Sequence, residues 1–438
     1  MKTSRLVLEI GGAAAILIGL WTRVSWSEAQ TARSSIPFVA SHSDTVEDML
    51  WMADVGPNDV VYDLGSGDGR IVIAAARDFD AQRAVGIEID SQLVQQSRAK
   101  ARQAGVADRI QFIEGDLFDQ DLRDASVVAL FLGHEPNIRL RPKLLSTLRP
   151  GTRVVSHDFG MGEWPPDRVL STRTDHLGMV GYAFGAFSNN ASVPDYTAAN
   201  ARYGQEEKIM MWMVPAPVAG IWSGKIDTPQ GRQDCQLVLH QRLSKVSGSL
   251  RLSGQADSEG WASVTLWGDH IRFWSSLDPS VPSQVQMRFD GRIDSNTMTG
   301  TLAIPDHGQF LERSWQVQRE TKDYAGCWEW PCATGDRSVR LDIARRDGRL
   351  VATYRDRSRS IPVTDFYDFG GGFYFTLRID RRRDRSIADV DTGWLIGEAV
   401  LDEGALKGRI EFHPYQGADP RGGNRPAFQE WTPRLVEP

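Results

Sequence analysis

An α/β fold is predicted for the first half of this 438-residue chain, with two small all-β units, barrels or sandwiches, in the second. Three observations carry the prediction. Residues 60–77 read VVYDLGSGDGRIVIAAAR: a short apolar run, a turn with glycines at Gly65, Gly67 and Gly69, then a helix-forming segment. Apolar runs and helical patterns alternate onward to residue 214, the rhythm of a parallel sheet with crossover helices. At Pro215-Ala216-Pro217 that rhythm gives way to short strands and turns that contain an internal repeat.

Taken in order, the chain opens with Lys2 and Arg5 ahead of an apolar run from Leu6 to Trp21, interrupted only by Glu9. Ser27-Glu28-Ala29 then offers a small-x-small cleavage site. Residues 1–29 read as a signal peptide or, uncleaved, as a membrane anchor, so the protein is expected to be exported or anchored, outside the cytoplasm. Asp44 and Glu47 resemble a helix start, followed by Val46, Met49, Leu50 and Ala53 at helical spacing. Gly56-Pro57-Asn58-Asp59 turns into the first strand. A second strand, AVGIEID, ends in Glu88, and Ser91 is placed to cap the helix that follows, with Gly105 ending it. A third, RIQFIEGDLF, runs into Asp116 and Leu117. SVVALFL (126–132) lacks polar alternation, as expected in the middle of a parallel sheet. A further helix is expected over residues 143–148 with Pro142 in its first turn. TRVVSHDF is the fifth strand, residues 160–208 a long insertion over the substrate, and KIMMWMV the last strand.

The loop after the first strand bears on the ligand. Strand, glycine turn and helix build a nucleotide-type site at the carboxyl end of a Rossmann-like sheet. The spacing here is GxGxG, one residue short of the dinucleotide fingerprint, and Asp63 and Asp68 bracket it. At about 4 Å a unit charge pair is worth roughly 4 kcal/mol at an effective dielectric of about 20. That opposes a phosphate and favours a cation. S-adenosylmethionine (SAM), with an ammonium, a sulfonium and no phosphate, fits. Asp63, Gly65, Ser66, Gly67, Asp68 and Gly69 form the candidate cradle, Glu88 the ribose ligand, and Asp116 and Leu117 the adenine contacts.

A net charge of −7 gives no support to a nucleic-acid partner. Three cysteines are too few for a disulfide framework, although Cys327 and Cys332 can form one bridge in an oxidising compartment. No metal site is expected. Beyond residue 215, AGIWSG matches AGCWEW, LVLHQRLSKVSGSLRL matches LDIARRDGRLVATYRD, and each unit closes on a Trp strand. The expected division is 1–29 leader, 30–215 α/β domain, 217–320 and 324–438 β domains.

With the loop residues and VGIEID and GDLF in view, the chain resembles class I SAM-dependent methyltransferases, and more narrowly the ATP-synthase c-subunit lysine methyltransferases and their prokaryotic relatives. The resemblance covers roughly residues 38–170. It implies a seven-stranded methyltransferase sheet, SAM as cofactor, Thr45 ahead of the first strand as a further cofactor contact, and methylation of a lysine on a protein, often a membrane-associated one. Methyl transfer depends on positioning and on a deprotonated amine. His134, Glu135 and Asn137, at the mouth beyond the fourth strand, are the candidates to receive the acceptor; capping the following helix is the alternative. His157-Asp158 can line the pocket or be a satisfied strand-end pair. Arg378, Arg381, Arg382, Arg383 and Arg385 make a basic cluster, either a solvated hairpin tip or a contact for an acidic partner. A small-molecule or lipid acceptor, or an exported binding protein without catalysis, are the other readings.

Overall fold

The fold was analysed in a computed structural model, which describes residues 38–174, 180–185, 207–228, 231–253, 264–276, 286–306, 309–320, 324–331, 338–347, 349–356, 359–363, 365–368, 372–379, 393–402, 405–414, 427–431 and 434–436. The leader, Cys332 and the arginines at 381–385 lie outside the described residues, as does most of the insertion between residues 174 and 207, and the side chain of Arg378 is likewise not described.

Five parallel strands form the core: β1 (Val60–Leu64), β2 (Arg83–Glu88), β3 (Ile110–Glu114), β4 (Val127–Leu130) and β5 (Arg153–His157). Around them pack α1 (Ser43–Met52), α2 (Arg70–Arg77), α3 (Ser91–Gln103) and α4 (His134–Thr147). β6 (Arg168–Thr174), β7 (Val180–Gly185) and β8 (Glu207–Met213) complete the sheet in the order β3-β2-β1-β4-β5-β8-β6-β7. β8 runs antiparallel between β5 and β6. β1–β6 and β8 make the seven strands expected, and β7 adds an eighth at the edge by pairing with β6. Every residue of β4 is buried, as its unbroken apolar sequence requires.

Three local expectations are corrected. The cap of α3 is Asp90, whose carboxylate accepts from the N–H groups of Gln92 and Leu93, and not Ser91. α1 starts at Ser43 behind His42 with no side-chain cap bond, so Asp44 and Glu47 lie inside the helix. α4 begins at His134, which puts Pro142 in its interior rather than its first turn.

Beyond Pro215, eight antiparallel strands between Gly220 and Arg319 curl into one sheet that is nearly a barrel. Phe273 stacks on Phe289 at 4.4 Å, and Trp315 meets both edge-on, which fills the interior. The last stretch forms two five-stranded sheets around Tyr324, Trp330, Leu341, Phe373 and Phe375. The repeat is legible in register. Trp222 pairs with Leu237 and Trp328 with Leu341. Each indole N–H donates to the carbonyl four residues before it, Val218 and Tyr324.

Residues 40–438 form one compact unit. α4 packs on the last β region, where Arg141, Pro142 and Leu145 meet Tyr374, Ile396 and Arg409 around a cavity. Glu163, between β5 and β6, accepts from Arg409 at 2.7 Å and from Arg242 of the near-barrel. The β regions are thereby fixed beside the helix that starts at the mouth of the sheet.

Candidate active site

At the carboxyl ends of β1 and β2 the glycine loop closes back on its neighbour strand. Gly65, Gly67 and Gly69 all have positive φ (79°, 53° and 80°), a region that non-glycine residues rarely adopt. The N–H groups of Gly65 and Ser66 donate to the Ile87 carbonyl, and Gly67 N–H donates to Glu88 Oε2 at 2.9 Å. Glu88 Oε1 accepts from the N–H groups of Ile89 and Asp90. One carboxylate therefore holds both the loop and the chain beyond β2. Space is as tight as the backbone: a Cβ on Gly65 would stand 2.5 Å from Leu132 Cδ2, and one on Gly69 would stand 2.8 Å from the Phe112 ring.

The two aspartates that bracket the loop turn out to differ. Asp63 is 2% exposed, and burial, with Glu88 and then Asp68 nearby, pushes its carboxyl up to about 8. Asp68 is buried as well but paired with two cations. Burial raises its carboxyl, but hydrogen bonds from Arg70 and Lys100, the latter at 2.6 Å, outweigh that and hold it at about 2. Asp63 is thus the carboxylate whose charge a bound cation would relieve, while Asp68 already has two counter-charges. Nearby, Ser66 Oγ is buried with no hydrogen-bond partner among the described residues. An anion-rich, glycine-lined cradle with an unmet hydroxyl fits the aminocarboxypropyl end of SAM.

Beyond β3, Asp116 accepts from Phe118 N–H at 2.9 Å and starts the short turn Leu117–Asp119, with Leu117 buried. Ile89 was not singled out from sequence. It is 43% exposed directly after Glu88, an apolar surface at the end of β2. Its signal was available: an isoleucine between two acids at a strand end has no core to join.

The acceptor side departs further from expectation. Asn137 is fully buried, and its amide donates to Ser156 Oγ and to the Phe159 carbonyl, which fastens α4 to the end of β5. Its Oδ1 is buried with no hydrogen-bond partner among the described residues. His134 and Glu135 are half-buried in the first turn of α4. Thr45, on α1, lies at the carboxyl end of β5, where its hydroxyl donates to Glu207 Oε2 at 2.8 Å. That carboxylate stands 3.7 Å from His157 Nε2. Among the described residues no group of His, Cys, Asp or Glu is arranged to hold a metal ion.

The family profile described as the ANTKMT methyltransferase domain matches residues 63–168, the span from Asp63 to the start of β6. A protein-lysine N-methyltransferase of Saccharolobus islandicus is 40% identical over 149 residues, which cover 34% of this chain and 92% of that protein. The chain belongs to this methyltransferase family. Its α/β part is a SAM-dependent methyltransferase. The mouse adenine nucleotide translocase lysine N-methyltransferase is 36% identical over 33% of this chain, and the match spans 62% of the mouse protein. An RNA methyltransferase of Salinibacter ruber, solved with S-adenosyl-L-homocysteine, is 43% identical over 41% of this chain and 96% of that one, with a TM-score of 0.32. These matches cover under half of the chain, and the family's domain here carries the β regions as an addition.

Bound SAM supplies a methyl group on a positively charged sulfur. The chain's own part is to hold that donor and exclude water. Gly65, Gly67 and Gly69 would let it approach the backbone, Asp63 would face its ammonium, and Glu88, which fixes the loop, would stand at the strand end for the ribose.

Proposed function

We propose that this protein methylates lysine side chains of a protein substrate, with SAM as donor. The observation that carries the reading is the 40% identity across 92% of an enzyme named as a protein-lysine N-methyltransferase. The acidic end of the sheet supports it, since Asp158 and Glu207 lie where β5 ends and β8 begins and would attract an ammonium. The candidate cofactor contacts are Asp63, Gly65, Ser66, Gly67, Gly69, Glu88, Ile89, Asp116 and Leu117. His134 and Glu135 border the acceptor mouth. The two β regions serve as a docking platform for the substrate protein, and their attachment to α4 and Glu163 holds that platform beside the mouth.

The apolar run from Leu6 to Trp21 supports export or membrane anchoring. Among the described residues no helix is long and apolar enough to cross a membrane. Fractionation of cells making the full chain tests this, and an uncleaved chain in the cytosol would overturn it.

The acceptor is tested by incubating the full chain with tritiated SAM and an extract of its native cells, then hydrolysing the labelled protein to amino acids. Label is expected in methyllysines. Label confined to small molecules or lipids would replace the lysine reading with a small-molecule or lipid one.

A further inference from the structure

His157 ends β5 and is 4% exposed, yet its Nε2 has no hydrogen-bond partner among the described residues. A buried nitrogen left unpaired is costly to the fold and calls for an explanation. The other nitrogen is accounted for, because Nδ1 lies 3.1 Å from Ser41 Oγ. The ring stacks on Phe131 with centroids 4.1 Å apart. Nε2 points between two carboxylates, Asp158 at 3.6 Å and Glu207 at 3.7 Å, both beyond hydrogen-bond length.

Both carboxylates are held in place. Asp158 sits at φ 58°, a strained value for a non-glycine residue, and its Oδ1 accepts from Lys208 N–H at 2.8 Å. Glu207 accepts from Thr45. The cluster also adjoins the donor site. Phe131 carries His157 on its ring, and the next residue, Leu132, is the one that closes on Gly65.

We propose that Asp158, Glu207 and His157 form the acceptor-amine pocket, the two carboxylates drawing in a lysine ammonium and His157 Nε2 taking its proton. This rests on the lysine reading above. In the tautomer whose Nδ1–H donates to Ser41 Oγ, the Nε2 lone pair is open toward the gap. The proton passes from the lysine nitrogen to Nε2; the freed lone pair attacks the sulfonium methyl carbon, and the carbon–sulfur bond breaks with its electron pair going to sulfur. His157 then releases the proton to solvent, one for each methyl transferred. The groups that face His157 are Asp158 beside it, Glu207 from β8, His42 from the segment before α1, and the hydroxyls of Ser41 and Thr45. Burial pushes the imidazole below its ordinary range, against Asp158 and Glu207 and with help from His42. It is therefore neutral at pH 7, the state that a proton acceptor needs.

The test uses the full chain, His157→Gln and Glu207→Gln, with a library of lysine-containing peptides as acceptors. For His157→Gln, SAM affinity by calorimetry should stay within about twofold, while transfer at pH 7 should fall about 100-fold. That deficit should narrow by about tenfold per pH unit toward pH 9, as the free amine becomes available without a base. Glu207→Gln should mainly raise the peptide KM. In NMR spectra of the wild type, the His157 ring signal, assigned by its loss in His157→Gln, should shift on addition of n-butylammonium. Undiminished transfer by His157→Gln, or a deficit independent of pH with an unmoved ring signal, would overturn the pocket and leave the lysine reading intact. A wild type that binds SAM and methylates no peptide would overturn both.

Discussion

The backbone N–H of Gly67 donates to Glu88 Oε2 at 2.9 Å, so the carboxylate that would hold the SAM ribose also fastens the glycine loop. Glu88→Ala should lose both functions. Hydrogen bonds to a charged group contribute about 1.5–3 kcal/mol each, so SAM affinity should fall by roughly 10- to 150-fold. Glu88→Gln keeps an acceptor for Gly67 and should lose less. Calorimetric titration of the two variants separates these outcomes.

Gly65→Ala should destabilise the chain by more than Gly105→Ala. Both positions have positive φ, which costs an alanine roughly 1–2 kcal/mol. Only at Gly65 would the new Cβ strike a side chain, Leu132; at Gly105 nothing lies within 4 Å. Urea denaturation should rank the variants in that order, and adding Leu132→Ala to Gly65→Ala should bring no gain beyond relief of the clash. Equal losses at the two sites would refute the tight fit.

Asp63 makes stability depend on pH in the direction opposite to that of an ion-paired carboxylate. Its carboxyl is raised from 3.8 to about 8 in the folded chain. Between these values the folded state holds a proton that the unfolded state has lost, so ligand-free stability falls as pH rises from about 4 to about 8. Asp63→Asn should flatten that slope while abolishing SAM binding. In the wild type, the SAM ammonium should ionise Asp63, so binding at pH 7 should release a proton. Calorimetry in two buffers of different ionisation enthalpy would detect it.

Glu163 joins the methyltransferase domain to both β regions through Arg242 and Arg409. Both arginines lose the Glu163 carboxylate in Glu163→Ala, and Arg409 is only 19% exposed. The expected cost is about 1–3 kcal/mol. It should be read as a lower melting temperature and faster proteolysis near residues 215–219. SAM affinity should not change, since the pair lies away from the loop.

The places of the candidate donor-site residues in the fold were legible in the sequence. The strand, the glycine turn and the acids at Asp63, Glu88 and Asp116 lie within short contiguous stretches, and period and turn chemistry alone place each at a strand end. The β repeat was legible for the same reason, since Trp222 and Trp328 recur in one local motif. The ion pairs that set Asp68 apart from Asp63 were only partly legible. For Asp68, the counter-charge Lys100 is 32 residues away on α3, and nothing local signals that contact. Asn137 reads as an exposed polar residue beside a proline, yet the packing of α4 on β5 buries it.

The sequence by itself determined the sheet, the glycine cradle and the family, because these depend on order along the chain: hydrophobic period, positive-φ glycines and acids at strand ends. Only the tertiary structure decided the surroundings of His157. His157 has Ser41 against one nitrogen, 116 residues earlier, and Glu207 near the other, far later in the chain. Whether a strand-end histidine is satisfied or left open depends on which distant segments packing brings to it, and that is a property of the folded core.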